Sequence, residues 1–364
     1  MTLNNPFNIC LLVFALWAPT CLAELAYSEL DDSELDYSEM GLDELMRQDV
    51  YVASVFTAHL HRKNEWMFSY DVSHMHMENN GNGSDDVSVA QMLDSNGFNY
   101  SIAPVKMHMD MEMFHIMYAQ SDELTWIVML QYLHSEMEHV TNSGSFTTQA
   151  RGWSDTHLKM NLTFYQDSVS HTEHKLMATL GLSLPTGAIN KKDVTPMSGT
   201  SKVQLPYPMQ LGSGTYDPML GLSYMGVGDK WYWGAQGIAT LHPFGNNANG
   251  YRLGNKLAFK SWLNHGVNDH FMVFARFDMN AQGNIKGEDK NLPAAMKTLV
   301  PTANPKLRAY KEARWVLGAD YVFSMPLLAG QRIFTEVSKP LYQDLDGPQL
   351  KKDVTYHVGW LWVF

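Results

Sequence analysis

From Val354 to Phe364 the chain alternates strictly between two kinds of side chain. Val354, Tyr356, Val358, Trp360, Trp362 and Phe364 fall on one side of an extended strand, and Thr355, His357, Gly359, Leu361 and Val363 on the other. Successive side chains of a strand point to opposite faces. An aromatic face toward lipid and a mixed face toward a lumen therefore explain the pattern. The competing reading is an edge strand of a soluble β protein, which would expose a contiguous aromatic patch for no gain. The same period of two recurs upstream and predicts strands over 66–77, 105–118, 124–137, 156–165, 174–184, 215–226, 229–242, 255–265, 269–279, 312–325, 332–340 and 353–364. The weakest of these, 255–265 and 332–340, leave ten or fourteen strands open.

The connections carry a second pattern. Those after the odd strands are long and rich in Gly, Asn, Pro or Asp, as in 78–104, 185–214 and 280–311. Those after the even strands are short, as in 120–123, 227–228 and 266–268. Loops outside and tight turns on the periplasmic side give this long-short phase to a membrane barrel. The expected fold is thus all-β: an antiparallel transmembrane barrel of about twelve strands, with both barrel ends on the periplasmic side.

Composition agrees. Charged residues make up 18% of the chain, below the ~25% usual in soluble domains. No run of 18 apolar residues appears beyond the N-terminus, which leaves strands to do any crossing. The apolar run Ile9–Ala18, followed by Pro19–Ala23, reads as a secretion signal over 1–23 with cleavage after Ala23, although the preceding residues carry no Lys or Arg. Both cysteines, Cys10 and Cys21, lie inside it, so the mature chain has no thiol chemistry. Formal net charge is −12, and the stretch from Glu24 to Asp49 holds ten acidic residues against one Arg. That run predicts a solvated periplasmic segment over 24–62 ahead of a barrel over 63–364, and it argues against nucleic acid as a partner. Within it, Met40–Ser54 resembles the opening of the plug in TonB-dependent receptors, which implies a short periplasmic or lumen-inserted segment.

The segments His59–Tyr70, Met107–Met113, Leu182–Gly187, Leu205–Asp217, Gly250–Gly254 and Glu336–Leu350, together with the aromatic ending, resemble the outer-membrane "transporter" proteins grouped with the MetA-pathway phenol-degradation family. The terminal alternation closing on Phe364 also resembles the terminal-strand signal of bacterial outer-membrane barrels. The resemblance implies a Gram-negative outer-membrane location and passage of a small solute, by expectation an aromatic compound. Its expected partners are membrane lipid, the solute, and the barrel-assembly machinery acting on Phe364.

The chain has 24 Met and 15 His, and residues 59–139 hold eleven of those Met and eight of those His. Met107, Met109, Met111 and Met113 share one strand face, while His108, Asp110 and Glu112 share the other. Lipid accepts thioethers and rejects carboxylates, so the expectation is that the four Met face lipid and the polar trio faces the lumen. His74 and His76 share parity with Trp66, Phe68, Tyr70 and Val72, which places them at the membrane interface and turns Met75 and Met77 inward. A metal reading draws its candidates from Met75, Met77, His108, Asp110 and Glu112, with copper as the ion that suits thioethers and imidazoles. Methionine as an apolar filler is the plainer alternative, and no cofactor is otherwise implied. His134, His139, His171, His174, His242 and His265 fall at strand ends and loops, where a solvated role is expected.

Inward parity also selects Asp71, Lys159, Arg276, Asp278, Arg314, Asp320 and Glu336 as lumen-lining charges. No hydrolase pattern competes with a channel. Asp94-Ser-Asn-Gly97 resembles the serine stretch of the outer-membrane phospholipase, but Leu93 stands where that pattern needs a histidine two residues before the serine. A serine without a neighbouring base is a weak nucleophile. A small-solute channel is therefore the reading, with metal transport or a loop-displaying adhesion barrel as the alternatives.

Overall fold

β-branched and aromatic residues alternating with small or polar ones build twelve staves. In the computed structural model, which describes residues 61–364 apart from 170, 171, 326, 327 and 329, these are β1 (Trp66–Gly83), β2 (Ile102–Ala119), β3 (Leu124–Thr141), β4 (Thr156–Val169), β5 (Thr172–Leu184), β6 (Asp217–Val227), β7 (Trp231–Thr240), β8 (Lys256–Gly266), β9 (Phe271–Gln282) and β10 (Tyr310–Val322), followed by the 33-residue stretch Gln331–Val363. That last stretch is a hairpin. Its first half, β11 (331–345), pairs antiparallel with β10, and its second half, β12 (349–363), pairs antiparallel with β1. The chain reverses at Asp346–Gly347, where Gly347 takes a φ of 78°. An odd ring cannot be antiparallel at every seam, so eleven continuous segments close as twelve staves. The signal expected over 1–23, the segment expected over 24–62 except its last two residues, and His171 lie outside the described residues.

The seam closes to its end: Trp66 N donates to the Phe364 carbonyl (2.9 Å), and Phe364 N donates back to Trp66 (3.0 Å). Burial alternates most clearly toward the periplasmic ends of the staves and along β9. On β1, Met67, Ser69, Asp71, Ser73 and Met75 are buried in the lumen, whereas Trp66 and Val72 are exposed on the outer wall. Leu162, Leu180, Leu220, Leu222, Leu263 and Leu317 continue that apolar exterior around the ring. Only lipid makes such a surface favourable on a folded chain. Aromatic rings mark its lower border, with Trp66 against Tyr118 at 4.7 Å and Trp362 against Phe364 at 4.5 Å. Among the described residues no helix is long and apolar enough to cross a membrane.

Two outer features depart from the sequence expectation. The stretch after β3 is not a loop: Gly144–Trp153 folds back as a further strand along the upper half of β3. The stretch 341–352 is likewise strand and tight turn, since β11 and β12 run on above the membrane instead of releasing a long loop. The remaining outer connections, 185–216, 241–255 and 283–309, fold inward over the barrel mouth. Asp155 ties the first of them down by accepting from Gly187 N (2.9 Å) and Ser213 N (2.7 Å). The Gln204 amide links it to the third, donating to Ile189 O (2.9 Å) and Asp289 Oδ2 (3.0 Å).

A layered lumen as the candidate functional site

Four layers succeed one another from the outer mouth to the periplasmic end. The first is an apolar cavity of about 270 Å³ beneath the folded-in loops. Ile102 of β2, Phe146 of the added strand, Leu205 and Pro206, and Met296, Leu299 and Val300 supply its walls. His139 closes one side, its ring stacked on Phe146 at 4.7 Å and 8°. It sits near the far end of β3, fifteen residues from the start, or roughly 35–40 Å up a tilted strand and so above the hydrocarbon layer. Burial lowers its pKa from 6.5 to about 4, so the imidazole is neutral and the cavity carries no charge from it. His139 and His242 are both buried rather than solvated, contrary to the sequence expectation. His242 faces Asp217 across 3.4 Å.

Below this lies a methionine wall. Met107 and Met137 are buried and pack with Leu205, Met209 and Leu211, and Met77, Met109, Leu133 and Leu350 lean on the same cluster. Met75, Met111, Met113 and Met129 continue the wall downward. Methionines 107 to 113 thus face the lumen, and the expectation that they face lipid is corrected. His108, Asp110 and Glu112, expected in the lumen, stand on the outer wall. Tyr70 donates to Glu112 (3.1 Å), His74 bonds Asp110, and His76 meets both His108 (3.3 Å) and Glu78 (3.1 Å) there. The physical reason is strand length and pairing. β2 has 18 residues, well beyond the ~9–11 that cross a bilayer. The crossing therefore takes up only part of the strand, and the outward carboxylates are each hydrogen-bonded on that face, Glu112 by Tyr70 and Asp110 by His74. It follows that Met75 and Met77 do not converge with His108, Asp110 and Glu112 on one ion, because the barrel wall separates the two sets. Among the described residues no group of three or more His, Cys, Asp or Glu is placed to hold a metal ion.

The third layer is an ionic belt around a cavity of about 260 Å³. Asp71, His115 and His357 line one side, Lys159 and Lys260 the other, with Arg276, Arg314 and Glu336 between. Arg276 is the hub. Its guanidinium donates to Asp278 (2.7 and 3.3 Å) and to Glu336 (2.9 and 3.2 Å). Arg314 reaches the same Asp278 at 3.2 Å. His357 bridges Glu336 (3.2 Å) to Asp71 (2.7 Å), so each ring nitrogen faces a carboxylate oxygen, the pattern of an imidazolium that donates twice. Asp71 also meets His115 at 3.2 Å, and Ser69 meets the same ring at 3.0 Å. One chain of charge thus runs across β2, β1, β12, β11, β9 and β10. Of the seven inward-parity charges, the structure places Asp71, Lys159, Arg276, Arg314 and Glu336 on this cavity, with Asp278 behind Arg276 and Arg314. Asp320 sits lower, paired with Arg332 at 2.7 Å. His115, His357 and Lys260 were not singled out from sequence, although all three have the inward parity that would have found them.

The fourth layer closes the periplasmic end with side chains. Met67, Met117, Ile127, Phe274, Val316, Phe334 and Leu361 form one buried cluster, and Met177, Met225, Val227, Tyr232, Trp262 and Met272 a second.

No family model matches this chain, and no curated protein is similar to it by sequence. Solved structures do match in shape. An outer membrane channel from Pseudomonas putida is 13% identical, with a TM-score of 0.55, over 84% of this chain and 97% of that one. A Pseudomonas aeruginosa FadL homologue (9% identical, TM-score 0.37, 82% and 90% covered) and the P. putida toluene transporter TodX (10%, 0.38, 83% and 90%) are more distant. At such identities the first of these is a likeness of fold: this chain has the architecture of an outer-membrane β-barrel.

Proposed function

We propose that the chain is an outer-membrane channel for a small, largely apolar solute, with a monoaromatic compound as the favoured class. The observation that carries this reading is the uncharged cavity at the outer mouth, roofed by loops and floored by Leu205. An apolar cavity of ~150 Å³ already accommodates benzene, and the cavity here, at about 270 Å³, has room for a substituted ring. Leu205 belongs both to this cavity and to the methionine cluster beneath it, so the two adjoin at a buried side chain. Flexible thioethers then offer a surface that adapts to several ring shapes. Assembly through Phe364 belongs to the same reading, because its aromatic ring lies on the lipid-side face at the periplasmic rim.

The test is uptake. Ala295 lies at the cavity rim, and Ala295→Trp should fill the mouth without disturbing the buried core. Toluene uptake by cells carrying the variant should fall several-fold at limiting concentration, while heat-modifiable migration stays that of a folded barrel. Equal uptake by the variant and the parent would remove the cavity from the route. Equal uptake by a deletion strain would remove the function.

A further inference from the structure

Met107 stands opposite Met77 across the β1–β2 seam and opposite Met137 across the β2–β3 seam. Residues directly opposite on one face have Cβ atoms roughly 4.5–5.5 Å apart, so three thioethers hang at one level from three adjacent staves. One pair of residues further down, Met109 stands opposite Met75. Met209, carried by the short turn Tyr207–Met209, descends from the loop above into the same cluster. Met107, Met137 and Met209 are at most 2% exposed. Packing alone does not require this choice, because the chain uses leucine freely in the same cluster: Leu133, Leu205, Leu211 and Leu350 surround the methionines.

We propose that the row Met77–Met107–Met137 is a binding site for a soft monovalent metal ion, Cu(I) or Ag(I), held by thioether sulfur. Thioethers are neutral, polarizable donors that favour Cu(I) and offer little to hard divalent cations. His108, Asp110 and Glu136 of the neighbouring positions point out of the barrel, and the next inward imidazole, His139, is stacked on Phe146 in the cavity above. Each methionine has three rotatable bonds, enough to bring the three sulfurs to one centre from a fixed backbone register. The site goes beyond solute passage and does not rest on it.

Ag(I) serves as the probe because it is redox-inert. The purified full-length barrel in detergent, in chloride-free buffer, is titrated with Ag(I) against a competing chelator, and X-ray absorption at the silver edge reports the donor atoms. One ion per barrel with a shell of sulfur is the expected result. In the M77L/M107L/M137L variant the affinity should fall by roughly tenfold or more, the scale on which metal sites respond to altered surroundings. Leucine matches methionine in volume, so the variant should fold. The single variant Met107→Leu, which removes the central donor, covers the case in which the triple does not. Met67→Leu with Met117→Leu, in the periplasmic cluster, should leave binding unchanged. A wild-type barrel that takes up no Ag(I), a shell of nitrogen or oxygen, or undiminished binding by the folded leucine variants would each overturn the proposal.

Discussion

Replacing Arg276 with methionine tests whether the mid-lumen belt is a sealed ionic structure or a watery one. Arg276 is 5% exposed and donates twice to Asp278 and twice to Glu336. Methionine fills the volume of the stem but leaves both carboxylates short of a cation. Removing one partner of a buried ion pair costs about 3–5 kcal/mol. Here each carboxylate keeps a second partner, Arg314 for Asp278 and His357 for Glu336. The lower end, about 3 kcal/mol or roughly a hundredfold in the unfolding equilibrium, is therefore expected. Urea unfolding of barrels refolded into vesicles, followed by tryptophan fluorescence, reads this directly. Adding Glu336→Gln should recover part of the loss, because the second change removes one of the orphaned charges. In planar bilayers the single variant should also shift ion selectivity toward cations, since the wall loses one positive charge. A destabilisation below about 1 kcal/mol with unchanged selectivity would refute the reasoning, because that is how solvated surface pairs behave.

Three further outcomes are expected. Replacing Phe364 with Asp should leave folded barrel scarce in the outer membrane, measured as heat-modifiable protein in membrane fractions. Epitopes inserted near Ser198 or Asn291, on connections that cross the outer mouth, should be labelled on intact cells, whereas one at Val227, beside a short turn, should not; the reverse would invert the topology. Acidification should act through His139: its pKa is lowered by burial, so above pH 6.5 it is neutral whether or not the outer mouth is folded. As pH falls from 6.5 toward about 4, protons favour the unfolded mouth and stability is progressively lost. His139→Phe should remove that part of the acid sensitivity in solute binding, and an unchanged pH profile would count against the buried, neutral imidazole.

How legible all this was in the sequence depended on where along a strand one looked. Each of the twelve staves overlaps an expected strand, because lipid on one side and a lumen on the other impose a period of two that no soluble fold needs to keep for so long. The terminal face from Tyr356 to Trp362 and the inward set Asp71, Arg276 and Glu336 follow from that period alone. The facing of β2 does not follow from its charges, because Glu112, Asp110 and His108 find partners on the outer face in Tyr70, His74 and His76 of β1. Counting parity from the other end would have decided it. Tyr118 and Ile116 belong with lipid, which places Met117, His115 and then Met113 inside. The strand Gly144–Trp153 escaped notice because it rises above the membrane, where neither face must be apolar. The roofing loops owe their form to amide and carboxylate contacts between distant segments, such as Gln204 with Asp289, which no local pattern announces.

The two clusters at the periplasmic end are built from two kinds of side chain with different freedom. Its aromatic rings lie against glycines on adjacent staves. Phe274 is opposite Gly318, where an added Cβ would meet the ring at 2.2 Å, and Phe334 covers Gly359 with the same 2.2 Å approach. Trp262 is opposite Gly234 in the second cluster, at 2.4 Å. Glycine within a strand allows such close approach, and the ring in turn covers the bare backbone. The rings are thus held to the wall, and Met67, Met117, Met177, Met225 and Met272 supply much of the remaining fill. A rotamer change in an unbranched thioether displaces little else, whereas moving a ring out of its glycine notch would disturb two staves at once. The methionines are thus the part of this fill that adapts most readily, below a belt of ion pairs that spans six staves.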